Sequence, residues 1–453
     1  MANATGSSKI RVALVSPKGP LYRKRSGIFS QSLRYMPLTL PTLAALIPSD
    51  LDIELVCVDE GIEEVDLDLD VDLVGLTVIT GTAPRAYELS AHFRSRGITT
   101  VLGGPHVTLA PDDAQPHADS IVVGYAEATW PQLLYDFASG ELSPRYKQDA
   151  HFDIAQSPIP DRSVLPRRKY VTSDVFEATR GCIHSCTFCV VPSAWGRTPF
   201  QKPIEDVVRD ITQHGAKRAI FIDLNIIAER RYAKELFTAL KPLNLKWYGL
   251  ATTLLCDDIP LLDLAAESGC RGLLMGLESI STANLASSQK RFNDPDSYGT
   301  VVSRLHERNI SLQGCFVFGL DEDQPTIFEE TAELAVDLKI DLPRFAILTP
   351  FPGTPLFDQL DSQGRILTEN WELYDGQHVV FEPKNMTVQQ LQDGNERAWK
   401  IAYRWDNIAR RLTTTGQPLV SALTNYGYRR YGNNLSKFYN CDWILPPERL
   451  AAA

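Results

Sequence analysis

Gly181-Cys182-Ile183-His184-Ser185-Cys186-Thr187-Phe188-Cys189 is the stretch on which the reading of this chain turns. Three thiols fall at CxxxCxxC spacing directly after a short apolar run that reads as a strand. Three thiolates on one loop can each hold one iron of a [4Fe–4S] cluster, which leaves the fourth iron open to a substrate or cofactor. Gly181 lets the backbone turn tightly into such a loop. Structural zinc sites use four ligands, often as two paired Cys/His units, and His184 is the one nearby non-thiol candidate. A zinc loop and three unrelated thiols are the alternatives to a cluster.

Working outward from this loop, the chain alternates. Apolar runs at 174–179, 218–223, 246–252, 271–276, 312–318 and 343–348 read as strands, with helices such as 203–214, 230–240, 258–268, 295–308 and 325–338 between them. Six strand–helix repeats predict a partial β/α barrel, because a complete barrel needs eight. An earlier alternating series has strands at 9–16, 52–58, 72–79, 99–103 and 119–123, and helices at 39–47, 84–97 and 128–139. Short apolar strands separated by helices predict a doubly wound parallel α/β sheet. Its ligands are expected beyond the strand C-termini. The stretch between the two series carries Pro144, Pro158, Pro160 and Pro166 with little periodicity and reads as a linker. The expected organisation is therefore a first domain over 1–140, a linker over 141–171, the partial barrel over 172–365, and a region rich in helix and aromatic residues over 366–453. The last of these is helical from 387 to 413.

The 453-residue chain is 44% hydrophobic and 22% charged, ordinary for a globular protein, and carries a net charge of −11. That acidity argues against general nucleic-acid binding, which depends on neutralising phosphates. Arg23, Lys24 and Arg25 form one local basic patch. The first residues lack a charged start followed by an apolar core, so no signal peptide is expected, and no apolar run is long enough for a membrane span. The eight cysteines are too scattered for a disulfide scaffold, and a reduced, cytoplasmic setting with a metal site fits them better.

The CxxxCxxC loop, with Phe188 before its last cysteine and a strand ahead of it, resembles that of the radical S-adenosylmethionine (SAM) enzymes. The resemblance implies that Cys182, Cys186 and Cys189 hold the cluster and that the open iron chelates SAM. Reductive cleavage of SAM then gives a 5′-deoxyadenosyl radical that removes a hydrogen atom from substrate. The resemblance extends to Phe221-Ile-Asp223-Leu-Asn225, Gly276-Leu-Glu278-Ser279, Gly314 to Gly319 and Pro350 to Pro355. It implies that Phe188, Asp223, Asn225, Glu278 and Ser279 lie around SAM. A helix cap or a charge at the barrel rim is the other reading of Asp223 and Glu278.

The first series lacks the GxGxxG of nicotinamide binding. Its loops instead resemble those of cobalamin-binding domains: Thr77-Val-Ile79-Thr80-Gly81, Gly103-Gly104-Pro-His106 and Gly124-Tyr125-Ala-Glu127. Small residues there let backbone approach the nucleotide tail, and Thr77, Thr80 and Glu127 are candidates to hydrogen-bond it. The DxHxxG motif that supplies a lower cobalt ligand is absent after the first strand, where the chain reads Ser16-Pro-Lys-Gly-Pro20. His106 reads more simply as a loop histidine than as a cobalt ligand. A purely structural sheet is the alternative for the domain. Tyr125, Trp195 and Arg197 are further candidates for the space between domains. Asn370 to His378 is a candidate cover for the barrel, with plain core packing of Trp371 and Tyr374 as its alternative.

By resemblance, the order of a cobalamin domain ahead of a radical SAM barrel implies a C-methyltransferase. One SAM methylates the corrin, a second yields the radical, and an unactivated carbon takes the methyl group from methylcobalamin. The expected partners are a small-molecule or lipid-like substrate and a one-electron donor such as flavodoxin or ferredoxin. A non-methylating cyclase like that of the bacteriochlorophyll isocyclic ring, a corrinoid or iron–sulfur sensor without turnover, and a zinc module are the competing expectations.

Overall fold

The structure is a computed structural model that describes residues 9–19, 35–149 and 152–435. The basic patch at Arg23 to Arg25 and Cys441 lie outside the described residues. The chain divides into two compact units, Met1–Val175 and Phe176–Ala453.

The first unit is a six-stranded parallel sheet. Its strands are β1 (Ile10–Ser16), β2 (Ile53–Asp59), β3 (Leu73–Thr77), β4 (Thr99–Gly103), β5 (Ser120–Val123) and β6 (Arg145–Lys147), in the order β2-β1-β3-β4-β5-β6. The chain reverses its order at β1, as a doubly wound sheet must. Val12 to Val15 are fully buried, because a parallel strand is covered on both faces. The core gathers Leu14, Leu73, Val101, Val122, Trp130 and Leu133.

The stretch read as a linker belongs to this unit. Arg145–Lys147 forms β6 and pairs with β5. Further on, Leu165 and Tyr170 are buried in the same core. The Tyr170 hydroxyl donates to Asp59 (2.8 Å), and Met36 N–H donates to the Thr172 carbonyl (2.9 Å). The prolines break periodicity there without freeing the segment.

In the second unit the six-stranded parallel sheet comprises β7 (Val175–Phe176), β10 (Arg218–Phe221), β11 (Lys246–Leu250), β12 (Cys270–Glu278), β13 (Ser311–Phe318) and β14 (Arg344–Ile347), in strict sequential order. Helices follow the strands, as a partial barrel requires. Two short strands, β8 (Thr179–Arg180) and β9 (Phe200–Gln201), form a separate antiparallel pair. The tail folds into helices Val388–Ala402, Trp405–Leu412 and Pro418–Gly432. Trp399 and Tyr403 are buried, and the Trp399 indole donates to the Phe345 carbonyl of β14 (3.1 Å). Trp371 and Tyr374 are buried too, 4.9 Å apart between ring centres, so Asn370–His378 packs as core. Among the described residues no helix is long and apolar enough to cross a membrane.

Candidate functional site

The three-thiol loop, the candidate cluster loop, is an excursion between β8 and β9. Those strands pair Thr179 with Gln201 and Arg180 with Phe200, which ties both ends of residues 181–199 together. Gly181 opens the loop at φ +88°, and a Cβ there would stand 2.7 Å from the Thr198 carbonyl oxygen. Only glycine fits that turn. Cys182, Cys186 and Cys189 are free thiols on this loop, with Cys186 buried and the others half-buried. Arg197 Nε donates to the Ile183 carbonyl and braces the loop (3.1 Å). Phe188 is half-buried and packs against the barrel core.

Among the described residues, no three His, Cys, Asp or Glu side chains converge as closely as a single ion needs. A tetrahedral zinc, with bonds of about 2.3 Å, demands that convergence. Three thiolates on one loop are the number that a [4Fe–4S] cluster with one open iron takes. The His184 ring stacks on Phe292 at 4.3 Å. Burial lowers its basicity, and the charges of Lys290 and Arg197 lower it further.

Asp223 sits just past β10 and is buried. Its carboxylate accepts from the N–H groups of Ala178 and Thr179 and from the Thr179 hydroxyl. It thus holds the base of the cluster loop. Burial pushes its pKa up to about 6, against the pull of the Thr179 hydrogen bond.

Glu278 ends β12 at φ +67°, where the pairing with β13 shifts register. It is buried and ion-paired with Lys290. Ser279 is buried beside it and accepts from Ser281 N–H (3.1 Å). Tyr298 donates to the carbonyls of Leu277 (2.6 Å) and Ser279 (3.0 Å), which fixes this strand end.

Asn225 lines a cavity of about 470 Å³, together with Ile183, His184, Ile227, Thr252 and Leu254 among others. Asn225 Oδ1, Thr252 Oγ1 and His184 Nε2 are buried and have no hydrogen-bond partner in the protein. Natural interiors rarely leave three such atoms around one cavity unless something else completes them. The cavity adjoins the cluster loop through Ile183 and His184, so it suits a polar ligand held there.

In the first unit, the predicted loops gather at the C-terminal ends of adjacent strands β3, β4 and β5. Val78 N–H donates to the Gly103 carbonyl (2.7 Å), and His106 N–H donates to the Val78 carbonyl (3.1 Å). Gly104 has φ +115°, and a Cβ there would stand 2.7 Å from the Val78 oxygen. The two loops can meet only across a residue without a side chain. Gly124 gives its space to the Gln148 side chain, which a Cβ there would meet at 2.6 Å. Ile79 is 55% exposed at this end of the sheet, an apolar side chain open to a large ligand such as a corrinoid. Thr80 is buried and Gly81 lies in the same turn. Gly124 N–H donates to Thr108 (2.9 Å), Tyr125 N–H to Gln148 (2.7 Å), and Glu127 accepts from Ser157 (3.1 Å).

His106 is fully buried. Its Nε2 is 3.0 Å from the Asp113 carboxylate and 3.1 Å from the Tyr87 hydroxyl, and its Nδ1 is 3.4 Å from Thr80. Sequence reasoning reads this residue as a loop histidine and finds neither its acidic nor its phenolic partner. It also misses Lys290 and Thr252, which carry no motif of their own.

Residues 38–134 match the B12 binding domain model. Over 427 residues, 92% of each chain, the sequence is 29% identical to bacteriochlorophyllide d C-12(1)-methyltransferase of Chlorobaculum tepidum. Among solved structures, the fold is shared with the radical SAM methyltransferase TsrM from Kitasatospora setae, bound to tryptophan and a SAM analogue. That match has a TM-score of 0.63 and 18% identity, covering 78% of this chain and 76% of that one. It is also shared with the cobalamin-dependent radical SAM enzyme OxsB, at a TM-score of 0.68 and 14% identity, covering 95% and 72%. With a match to the B12 binding domain ahead of a partial barrel whose first loop presents three thiols, the chain is similar over nearly its whole length to cobalamin-dependent radical SAM enzymes.

Proposed function

We propose that this enzyme methylates an unactivated carbon of a small-molecule or lipid-like substrate, with a tetrapyrrole side chain the first candidate. The observation that carries the reading is the braced three-thiol loop in a chain that also holds a B12-binding domain. The likeness to a bacteriochlorophyllide methyltransferase over nearly the whole of both chains supports the substrate class. When bound, the cluster with SAM supplies a 5′-deoxyadenosyl radical and cobalamin a methyl group. Cys182, Cys186 and Cys189 would each hold one iron of that cluster. Asp223 keeps the base of their loop in place through Ala178 and Thr179. Asn225, Thr252 and His184 offer the cavity beside the loop an acceptor, a hydroxyl and a ring nitrogen with which to orient a bound molecule. In the first unit, the loops that follow β3, β4 and β5 would hold the corrinoid, Gly104 by letting two of them meet, and Ile79 would offer an apolar contact. The electron comes from a one-electron donor of the flavodoxin or ferredoxin type.

The test is anaerobic reconstitution with iron, sulfide and hydroxocobalamin, then mass spectrometry of SAM products and of a tetrapyrrole substrate. Formation of both 5′-deoxyadenosine and S-adenosylhomocysteine, with a product heavier by one CH₂, is the expected result. 5′-Deoxyadenosine without S-adenosylhomocysteine would overturn methyl transfer in favour of other radical chemistry.

A further inference from the structure

The segment after β12 clasps the cluster loop. Helix Thr282–Ser287 ends at Ser288. The Ser288 carbonyl accepts from Thr187 N–H (3.3 Å), and Gln289 Oε1 accepts from the Ser185 hydroxyl (2.8 Å). Gln289 turns at φ +57°, and Phe292 then stacks on His184. Asn293 anchors the far end, donating to the Gly276 (2.8 Å) and Leu277 (3.0 Å) carbonyls and accepting from Thr253 (2.8 Å). Residues 288–293 are therefore a strap fastened to the thiol-bearing loop at one side and to β12 at the other.

Lys290 sits in the middle of this strap and is 8% exposed. Its ammonium is ion-paired with Glu278 and stands 5.7 Å from the Phe292 ring centre. A side chain at residue 276 would run into both partners, so Gly276 keeps the space they occupy. A buried ammonium survives only with an anion beside it. Here Glu278 supplies it.

We propose that Lys290 sets the reduction potential of the cluster. A fixed ammonium held against the thiol-bearing loop favours the added negative charge of the reduced cluster, and Glu278 partly offsets it. The electron arrives from the one-electron donor. The inference rests on the reading of the loop as a [4Fe–4S] site.

The test is an EPR-monitored redox titration of the full-length, anaerobically reconstituted protein without SAM, using dithionite and mediators. Lys290→Met is expected to lower the reduced-to-oxidised ratio at a fixed poise by about ten-fold, which is about 59 mV for a one-electron couple. Glu278→Gln is expected to raise it, and Lys290→Arg to stay near the parent. A role confined to holding the loop in place does not give shifts of opposite sign. Unchanged potentials, or shifts in the same direction, overturn the proposal. If Lys290→Met does not load its cluster, Glu278→Gln alone decides: an unchanged or lowered ratio overturns it. Failure of the parent protein to take up iron and sulfide, read from metal content and visible absorbance, instead overturns the cluster reading itself.

Discussion

Asp223 and Thr179 are joined twice, the carboxylate accepting from both the backbone N–H and the hydroxyl of the threonine (2.8 Å for the hydroxyl). Thr179 opens β8, the strand that leads into the cluster loop. The pair therefore transmits the position of the barrel strand β10 to the thiols. Asp223→Asn keeps one acceptor oxygen but turns donor hydrogens toward donors. Iron uptake on reconstitution is expected to fall at least several-fold, measured as iron per chain against the parent.

The same carboxylate gives a pH signature. Its pKa stands at about 6 in the fold, raised by burial, against an ordinary value of 3.8. Between those two values the folded chain binds more protons than the unfolded one. Stability from this group therefore falls as pH rises from about 4 to about 6 and is flat above, the reverse of a salt-bridged aspartate. A shift of this size corresponds to on the order of 2–3 kcal/mol. Asp223→Asn removes the effect. Denaturant unfolding of the two proteins is expected to show a stability gap that is wider at pH 4.5 than at pH 7.5. A gap independent of pH would contradict the raised pKa.

Gly104 offers a test of the first unit. Its φ is +115°, and a Cβ added there would come within 2.7 Å of the Val78 oxygen, so Gly104→Ala is doubly unfavourable. Gly97→Ala is the control, since Gly97 has φ +77° and a Cβ added there would meet nothing within 4 Å. The control is expected to lose about 1 kcal/mol and Gly104→Ala clearly more. Only Gly104→Ala should weaken hydroxocobalamin binding, followed by absorbance titration, because it alone pushes apart the loops at 77–82 and 103–106.

Where these residues are legible in the sequence, a local rule makes them so. Val12 to Val15 and Leu73 to Leu76 are continuous apolar runs, and continuous burial leaves no other reading. The thiols are bound by covalent spacing within one loop. β6 escapes detection because a three-residue strand with only Tyr146 buried has no period to find. Leu165 and Tyr170 are lost among prolines whose neighbours dock by tertiary contacts. Lys290 lies in Ser-Ser-Gln-Lys-Arg, which reads as a solvated turn, and its partner Glu278 lies twelve residues earlier in the chain. Motifs report the residues a loop needs for itself; they do not report the residues another strand end brings to it.

Thr252 separates binding from stability. Its hydroxyl is buried without a protein partner beside the cavity that Asn225 and His184 share. Burying an unmet hydroxyl costs the fold about 1–3 kcal/mol, and a methyl group of similar shape removes that cost. Thr252→Val is therefore expected to leave the ligand-free protein as stable as the parent or up to about 1 kcal/mol more stable, read from denaturant unfolding. If the cavity orients a bound molecule, the same substitution lowers 5′-deoxyadenosine production about ten-fold while iron content and cobalamin binding stay at parent levels. A site built for packing alone gives the opposite pattern, since a better-satisfied core has no reason to slow turnover. Thr252→Ser, which keeps the hydroxyl, is expected to retain most of the rate despite a small loss of stability. That reversal of the two rankings is what marks an unmet polar group kept for a ligand.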